Sequence, residues 1–393
     1  AQGRSLSLPH HPLRAALGVI LPDSLLPIIQ AAVSGFARYP KLQQELRKVQ
    51  EPLHILAIGK AAYQMAQVAF QALGEKRLRS CIVLTKYGFV PQESPPDFHP
   101  EILEAGHPVP DQNSLLNSRY ILEHLRSIPG DESLIVLLSG GSSSLFEIPR
   151  KPHNLEDIIA LNRMLLTSGL DIRQINLKRQ EYSLTKGGGA ANCFSGKDLR
   201  VYLLSDVPGD DPAIIGSGPF YQEHIPQIII GKNQALVRLV ARSLRASYPD
   251  LPIRISKRFV DDDAARFARA LARYARLAPK GIYLFGGECS IRPRGSGLGG
   301  RLSHLALEFA TAVQTDRKIS LVALASDGND NLPQSAGAIA DQDSIIKMRD
   351  CHVDPQAALR NFDSYSALDK AGLIIPGYYS GCNANDIIAL FVD

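Results

Sequence analysis

The chain has no tryptophan, only three methionines, and no apolar run near the roughly 18–20 residues that a membrane-spanning helix needs. A helical membrane span is therefore not expected. Its five cysteines, at 81, 193, 289, 351 and 382, are odd in number, widely spaced and contain no C-x-x-C pair. This speaks against a zinc site and a disulfide framework, and fits a reducing cytoplasm. No arm or stripe of one charge sign is present: 43 Lys and Arg are interspersed with 39 Asp and Glu, for a net charge of +4. That balance argues against nucleic acid as a partner. The first twenty residues place two prolines and two histidines before any apolar run, so they lack the continuous core of a signal peptide.

What is present suits an ordinary globular protein. Hydrophobic residues make up 45% of 393 and charged residues 21%, enough material for more than one core. Strand-like apolar runs alternate with helical periodicity along the whole chain, which predicts parallel sheets covered by helices on both faces. Strands are expected over 53–58, 80–85, 134–138, 200–204, 253–255, 281–285 and 319–325, with a last one at the C-terminus. Helices are expected over 13–46 with breaks at its prolines, then over 114–125, 155–168, 234–248 and 261–278, with further ones opening after Lys60 and at Arg301. The helix at 155–168 should stop at Ser168-Gly169. Segment 104–111, EAGHPVPD, reads as a stiff loop, its lone His107 as structural or exposed. The connection between Pro249 and Pro252 divides the chain into domains 1–248 and 249–393.

Chemistry-bearing residues recur at strand ends, where open α/β sheets bind ligands. The run LIVLLSGGSSSLF ends a strand at Ser139-Gly140-Gly141 and continues with Ser142 and Ser143. Such a turn can cradle a carboxylate or phosphate with amide and hydroxyl donors, or can simply connect strand to helix. Lys60 sits between the strand over 53–58 and a helix start, where a cation is poorly placed unless it has an anionic partner. Lys186, Gly187 and Gly188 combine a cation with glycines, which suits phosphate or a plain exposed loop. Asp206 follows a strand and precedes VPGDDP, a placement used to hold a divalent cation or take a hydroxyl proton. Glu288 after Gly286-Gly287 and Arg301 after Gly299-Gly300 put an acid and a base at one end of a second sheet. Asp327, in SDGND, ends another strand there. A cleft between the two domains would gather these loops.

IGKAA, EAGHPVPD, LLSGGSSSL, SLTKGG, LLSDVPGDDP with GSGP, GGE, GGR, SDG and CNANDI occur in one order. This resembles the type II glycerate kinases (glycerate 2-kinases), the two-domain family whose C-terminal part is called the MOFRL domain. The resemblance implies an N-terminal Rossmann-like parallel sheet, a smaller C-terminal α/β domain and a site between them. It also implies ATP-dependent phosphorylation of D-glycerate to 2-phosphoglycerate with Mg²⁺, and a homodimer as one assembly. Lys60 and Arg301 match the family's functional lysine and arginine, and Asp206 the aspartate of its DVPGDDP motif. Asp206 and Asp327 are the metal-ligand candidates.

The chain also departs from the family pattern. Ser142 stands where a third glycine is usual, Arg179-Gln180-Glu181 where Arg-Lys-His is usual, and Gly189 where Arg is usual. Leu302-Ser303-His304 replace Asn-Gln-Glu, and Gln334-Ser335 replace Thr-Asp. Several departures remove a cation or polar group, so a different hydroxy acid, weak activity, or binding without turnover stand as alternatives. Hydroxypyruvate reductase is another, but the first strand lacks the G-x-G-x-x-G and following acid of a nicotinamide site.

Overall fold

The computed structural model describes residues 22–49, 51–167 and 172–393. The reading of the first twenty residues, the start of the 13–46 helices and the stop at Ser168-Gly169 lie outside the described residues.

The first sheet contains β1 (Leu53–Ile58), β2 (Leu78–Lys86), β3 (Glu101–Ala105), β4 (Ser133–Leu138), β5 (Asp198–Ser205) and β6 (Gln227–Lys232). All are parallel, in the order β3-β2-β1-β4-β5-β6. β1 and β4 are buried along their whole length, as befits strands covered on both faces. The chain leaves β1 toward β2 on one side and later returns to β4 on the other. That reversal opens a crevice at the carboxyl ends of β1 and β4, the usual ligand position in this topology. β3 takes in Glu104 and Ala105, which the sequence reading gave to a loop; β6 was not foreseen either.

The second sheet contains β7 (Ile253–Val260), β8 (Gly281–Gly287), β9 (Ile319–Ala325), β10 (Ser335–Asp341), β11 (Ile374–Pro376) and β12 (Asp386–Val392), in the order β11-β10-β9-β12-β8-β7. Here the expectation of a parallel sheet is corrected. Only β7 and β8 are parallel, and the other four pairings are antiparallel. The loop 326–334 between β9 and β10 is too short for a helical crossover, which needs a dozen or more residues, so it closes a hairpin.

The two sheets share a core. Tyr63 and Leu204 on the first side belong to the same apolar cluster as Leu284, Ile387 and Phe391 on the second. The helix Asn233–Ser247 crosses between them, and Asn233 Nδ2 donates to the carbonyls of Ala384 (2.8 Å) and Asp386 (3.1 Å). Tyr39 Oη donates to Gly381 O at 2.5 Å, tying an N-terminal helix to the last connection. Among the described residues no helix is long and apolar enough to cross a membrane, and the five cysteines are unpaired.

Candidate active site

The turns after β1 and β4 interlock. The amide of Ser139 donates to Ile58 O (2.9 Å), that of Lys60 to Gly140 O (3.0 Å), and that of Ala61 to Ser139 Oγ (3.1 Å). The buried Ser139 hydroxyl therefore fixes the backbone under Lys60. Gly140 is required by close approach: a Cβ there would lie 1.6 Å from Asp206 Oδ2 and 2.3 Å from Asn383 Nδ2.

Lys60, His107, Gly141, Asp206, Glu288, Arg301, Ser326 and Asp327 line a cavity of about 120 Å³ with Asn383, Asn385 and Asp386. Lys60 reaches across to the second sheet, its Nζ 2.8 Å from Asp327 Oδ2. Arg301 opens the helix Arg301–Ala312 and grips Asp386 bidentately, with Nε and one terminal nitrogen each at 2.7 Å. Its second terminal nitrogen donates to Asn331 (2.9 Å), and Glu288 Oε1 stands 3.6 Å from the terminal nitrogen that holds Asp386. Asp330 accepts from the amides of Leu302 (2.9 Å) and Ser303 (2.8 Å), fixing the helix end that carries Arg301. Asn385 Nδ2 donates to Asp206 O (2.8 Å) and to Glu288 Oε2 (2.9 Å), joining the two sheets.

The protonation states follow from these neighbours. Burial disfavours the Lys60 and Arg301 charges, but Asp327 beside the lysine and Asp386 beside the arginine outweigh it, so both stay cationic. Burial pushes Asp327 up, yet Lys60 and Arg301 bring it below the usual carboxylate range. Asp206 and Asp386 are the exceptions, burial pushing Asp386 up to about 7 against the pull of Arg301. Burial and then Glu288 raise Asp206 to about 6, against the opposing pull of Lys60. Burial, then Lys60 and Lys86, push His107 down to about 3, so it presents a neutral imidazole.

Thus the cavity gathers Lys60, Gly141, Asp206, Glu288, Arg301 and Asp327 from the residues singled out in the sequence. Gly140 lies against it. The other phosphate candidates do not line it. Ser143 shares a hydrogen bond with Ser217 (3.0 Å), and Ser142 is buried against Gly216. Lys186 is buried, ion-paired with Glu147 and bonded to Ser143 O (2.8 Å), so its charge is already matched. Gly187 and Gly188 donate their amides to Ser217 O (3.0 Å) and Gly218 O (2.7 Å).

The family departures also fall away from the cavity. Leu302 and His304 are buried in the second core, the latter beside Phe362, and Ser303 caps its own helix by accepting from Gly300 N (2.8 Å). Glu181 pairs with Lys178, and Gln180 packs where a Cβ on Gly187 would stand. A Cβ on Gly189 would lie 2.1 Å from Leu184 O, so this backbone requires glycine. Gln334 and Ser335 serve the β10 edge, through Gln334 O accepting from Gly377 N (2.9 Å) and Ser335 Oγ donating to Gly337 O (3.2 Å).

Sequence reasoning missed His107 and gave no role to Ser326, Asn383, Asn385 and Asp386. The signal was an acid opening an apolar strand, Asp386 before IIALFV, preceded by an asparagine in the left-handed region (Asn385, φ 58°).

Two sheets, a Rossmann-order crevice and a charged cavity at their junction define a two-domain α/β protein. Its sequence matches Domain of unknown function (DUF4147) over residues 12–232 and the MOFRL family over 281–386. A D-glycerate 2-kinase from Thermotoga maritima is 31% identical over 85% of this chain and 89% of its own length. A glycerate 2-kinase from Sulfurisphaera tokodaii is 30% identical over 86% and 89%. An Agrobacterium vitis relative with a provisional hydroxypyruvate reductase name is 31% identical over 86% of each. The crystal structure of a glycerate kinase from Thermotoga maritima superposes with a TM-score of 0.79 at 30% identity, covering 95% of this chain and all of that one. The chain belongs to the type II glycerate kinase family with a C-terminal MOFRL domain.

Proposed function

We propose that the chain transfers the γ-phosphoryl group of ATP to the 2-hydroxyl of D-glycerate, giving 2-phosphoglycerate and ADP. The observation that carries this reading is the pair Lys60 and Arg301, delivered from different sheets to one small cavity that Asp206 also lines. At about 120 Å³ the cavity is well below the roughly 300–1,000 Å³ of sites for drug-sized ligands, and suits a three-carbon acid. Lys60 gives one N–H to Asp327 and keeps two donors for the carboxylate of glycerate. Asp206 takes the hydroxyl proton, and Arg301 neutralises charge on the transferring phosphoryl group. The bond from the γ-phosphorus to the β–γ bridging oxygen breaks, its electron pair leaving with ADP, as the bond to the substrate oxygen forms. Such a transfer depends on positioning and charge neutralisation more than on covalent help from the protein.

The lining also fits a divalent cation. Its four carboxylates outnumber its two cations, Lys60 and Arg301, leaving an excess negative charge that phosphates would worsen. Among the described residues no three His, Cys, Asp or Glu side chains are placed to hold a metal by themselves. Mg²⁺ is typically carried on nucleotide phosphates and met by one or two carboxylates. Glu288 is the half-exposed carboxylate that would meet it, and the ion's contribution is to neutralise the phosphates. The unpaired thiols suit a cytoplasmic setting.

The reductase alternative is not favoured: β1 ends in Ile58-Gly59-Lys60, with no glycine-rich pyrophosphate turn. The test is ADP release with Mg-ATP and D-glycerate, with the phosphorylated carbon assigned by phosphorus–proton correlation in the product. NADH oxidation with hydroxypyruvate and no ADP release would overturn the kinase reading.

A further inference from the structure

A pocket of about 390 Å³ lies at the edge of the second sheet, between the helix Ala264–Leu277 and the strands β7 and β8, and shares no residue with the first cavity. A local irregularity accompanies it. Ile255 of β7 stands level with Leu284 of β8 and Phe259 with Gly286, so β7 takes four steps where β8 takes two, and Phe285 has no register partner on β7. Such a bulge bends a strand away from its neighbour. The pocket's inner wall is apolar: Leu271 and Tyr283 are buried, while Phe267 and Phe285 are half-buried. Tyr274 forms the lip, a large ring that is 46% exposed.

The lining suits an aromatic guest. Phe267 and Phe285 meet edge to face (centroids 5.7 Å apart, planes at 77°), as do Tyr274 and Tyr283 (5.3 Å, 89°), and a further ring can join such pairs in the offset or edge-on geometry that aromatic rings prefer. The charges at the rim have one sign. Arg254 and Arg258 of β7 line the pocket, and no carboxylate does among the described residues. Arg258 is committed to Asp262 (2.7 Å), whereas Arg254 is exposed, makes no ion pair among the described residues, and lies over the Tyr283 ring at 5.3 Å from its centre. A guanidinium so placed can take a planar anion bidentately. The volume falls within the roughly 300–1,000 Å³ of small-molecule sites.

We propose that this pocket is a binding site for a small aromatic anion, its ring among Phe267, Tyr274 and Phe285 and its acidic group on Arg254. The site lies outside the phosphoryl-transfer chemistry, so it stands whether or not glycerate is the substrate. One strand links the two places: Phe285 lines the pocket, and Glu288, three positions further on just past the end of β8, lines the first cavity. A bound ring therefore packs against the strand that delivers Glu288.

The test is titration of the full chain with anilinonaphthalene sulfonate, an aromatic anion whose fluorescence rises when it leaves water, and with its uncharged relative phenylnaphthylamine. Saturable binding of the sulfonate at one site per chain is expected. Arg254→Glu is expected to weaken the sulfonate at least tenfold and the uncharged probe less than twofold, while Tyr274→Ala weakens both at least fivefold. Both side chains are exposed, so the variants should unfold thermally as the native chain does. Arg119→Glu, beside a separate groove along the helix Gln112–Ser127, is expected to bind both probes like the native chain. Sulfonate binding that is unchanged in Arg254→Glu and Tyr274→Ala, or lost in Arg119→Glu, overturns the assignment. Equal weakening of both probes by Arg254→Glu contradicts the anion contact. Displacement of the sulfonate by Mg-ATP makes the pocket part of a nucleotide site and contradicts the proposal. Absence of probe binding by the native chain also overturns it, and self-association abolished by Tyr274→Ala would then mark the face as an interface between two copies.

Discussion

Lys60 Nζ lies 2.8 Å from Asp327 Oδ2, and this ion pair joins the turn after β1 in the first sheet to the turn after β9 in the second. The same contact positions the lysine and closes one end of the cavity. Lys60→Ala removes a substrate donor and leaves Asp327 buried without its partner. A loss of about 10²–10³ in kcat/KM is expected, a typical cost of deleting one charge-stabilising donor. Asp327→Asn keeps the lysine but releases it, so KM for glycerate rises more than kcat falls. Steady-state kinetics on the two variants separates these effects.

Asp206 provides a pH signature. With its pKa raised to about 6 by burial and by Glu288, it is protonated below that value and cannot accept the hydroxyl proton. The kcat profile should therefore fall on the acid side with a midpoint near pH 6. Glu288→Gln removes the nearby negative charge and should move that limb to lower pH. A limb that stays in place would show that Glu288 does not tune Asp206.

Stability carries the opposite sign at the same residue. A carboxyl whose folded pKa is raised favours the fold fully below its unfolded value near 3.9, and that contribution is lost as pH rises through about 6. Asp206→Asn is accordingly expected to unfold at a higher temperature than the native chain at pH 8 and to lose that advantage at pH 4, while turnover is abolished. Thermal unfolding at the two pH values checks this.

Gly140→Ala tests the tight approach of the first sheet to Asp206. The added methyl carbon would stand 1.6 Å from Asp206 Oδ2, so the carboxylate must move. A loss of at least tenfold in kcat is expected, with secondary structure retained by circular dichroism. Native activity in this variant would mean that Asp206 need not occupy its observed position.

Lys186 separates structure from chemistry. Its buried pairing with Glu147 predicts that Lys186→Ala leaves an uncompensated carboxylate and costs about 3–5 kcal/mol of stability. Denaturant unfolding should show that loss, while the folded variant keeps the native KM for ATP. A large rise in that KM would return Lys186 to the phosphate site.

How far the sequence could be read depended on the range of the forces involved. β1, β4, β5, β8 and β9 were legible because short apolar runs ending at glycine or aspartate are local signals. Lys60, Asp206 and Arg301 were legible as strand-end or helix-start residues in recurring motifs. The antiparallel placement of β12 was not, because a fully buried strand reads alike in either direction. Asp386 escaped for a related reason: its role appears only when Arg301, 85 positions earlier, folds against it. Lys186 looked like a phosphate ligand because its partner Glu147, 39 residues before it, bore no mark of burial.

The most direct test of the account is ADP release by the full chain with Mg-ATP and D-glycerate, set beside Lys60→Ala and Arg301→Ala. Glycerate-dependent turnover in the native chain, reduced at least a hundredfold in both variants while they remain folded, is the predicted result. A folded native chain with no glycerate-dependent ADP release, or variants that turn over like it, would contradict the account.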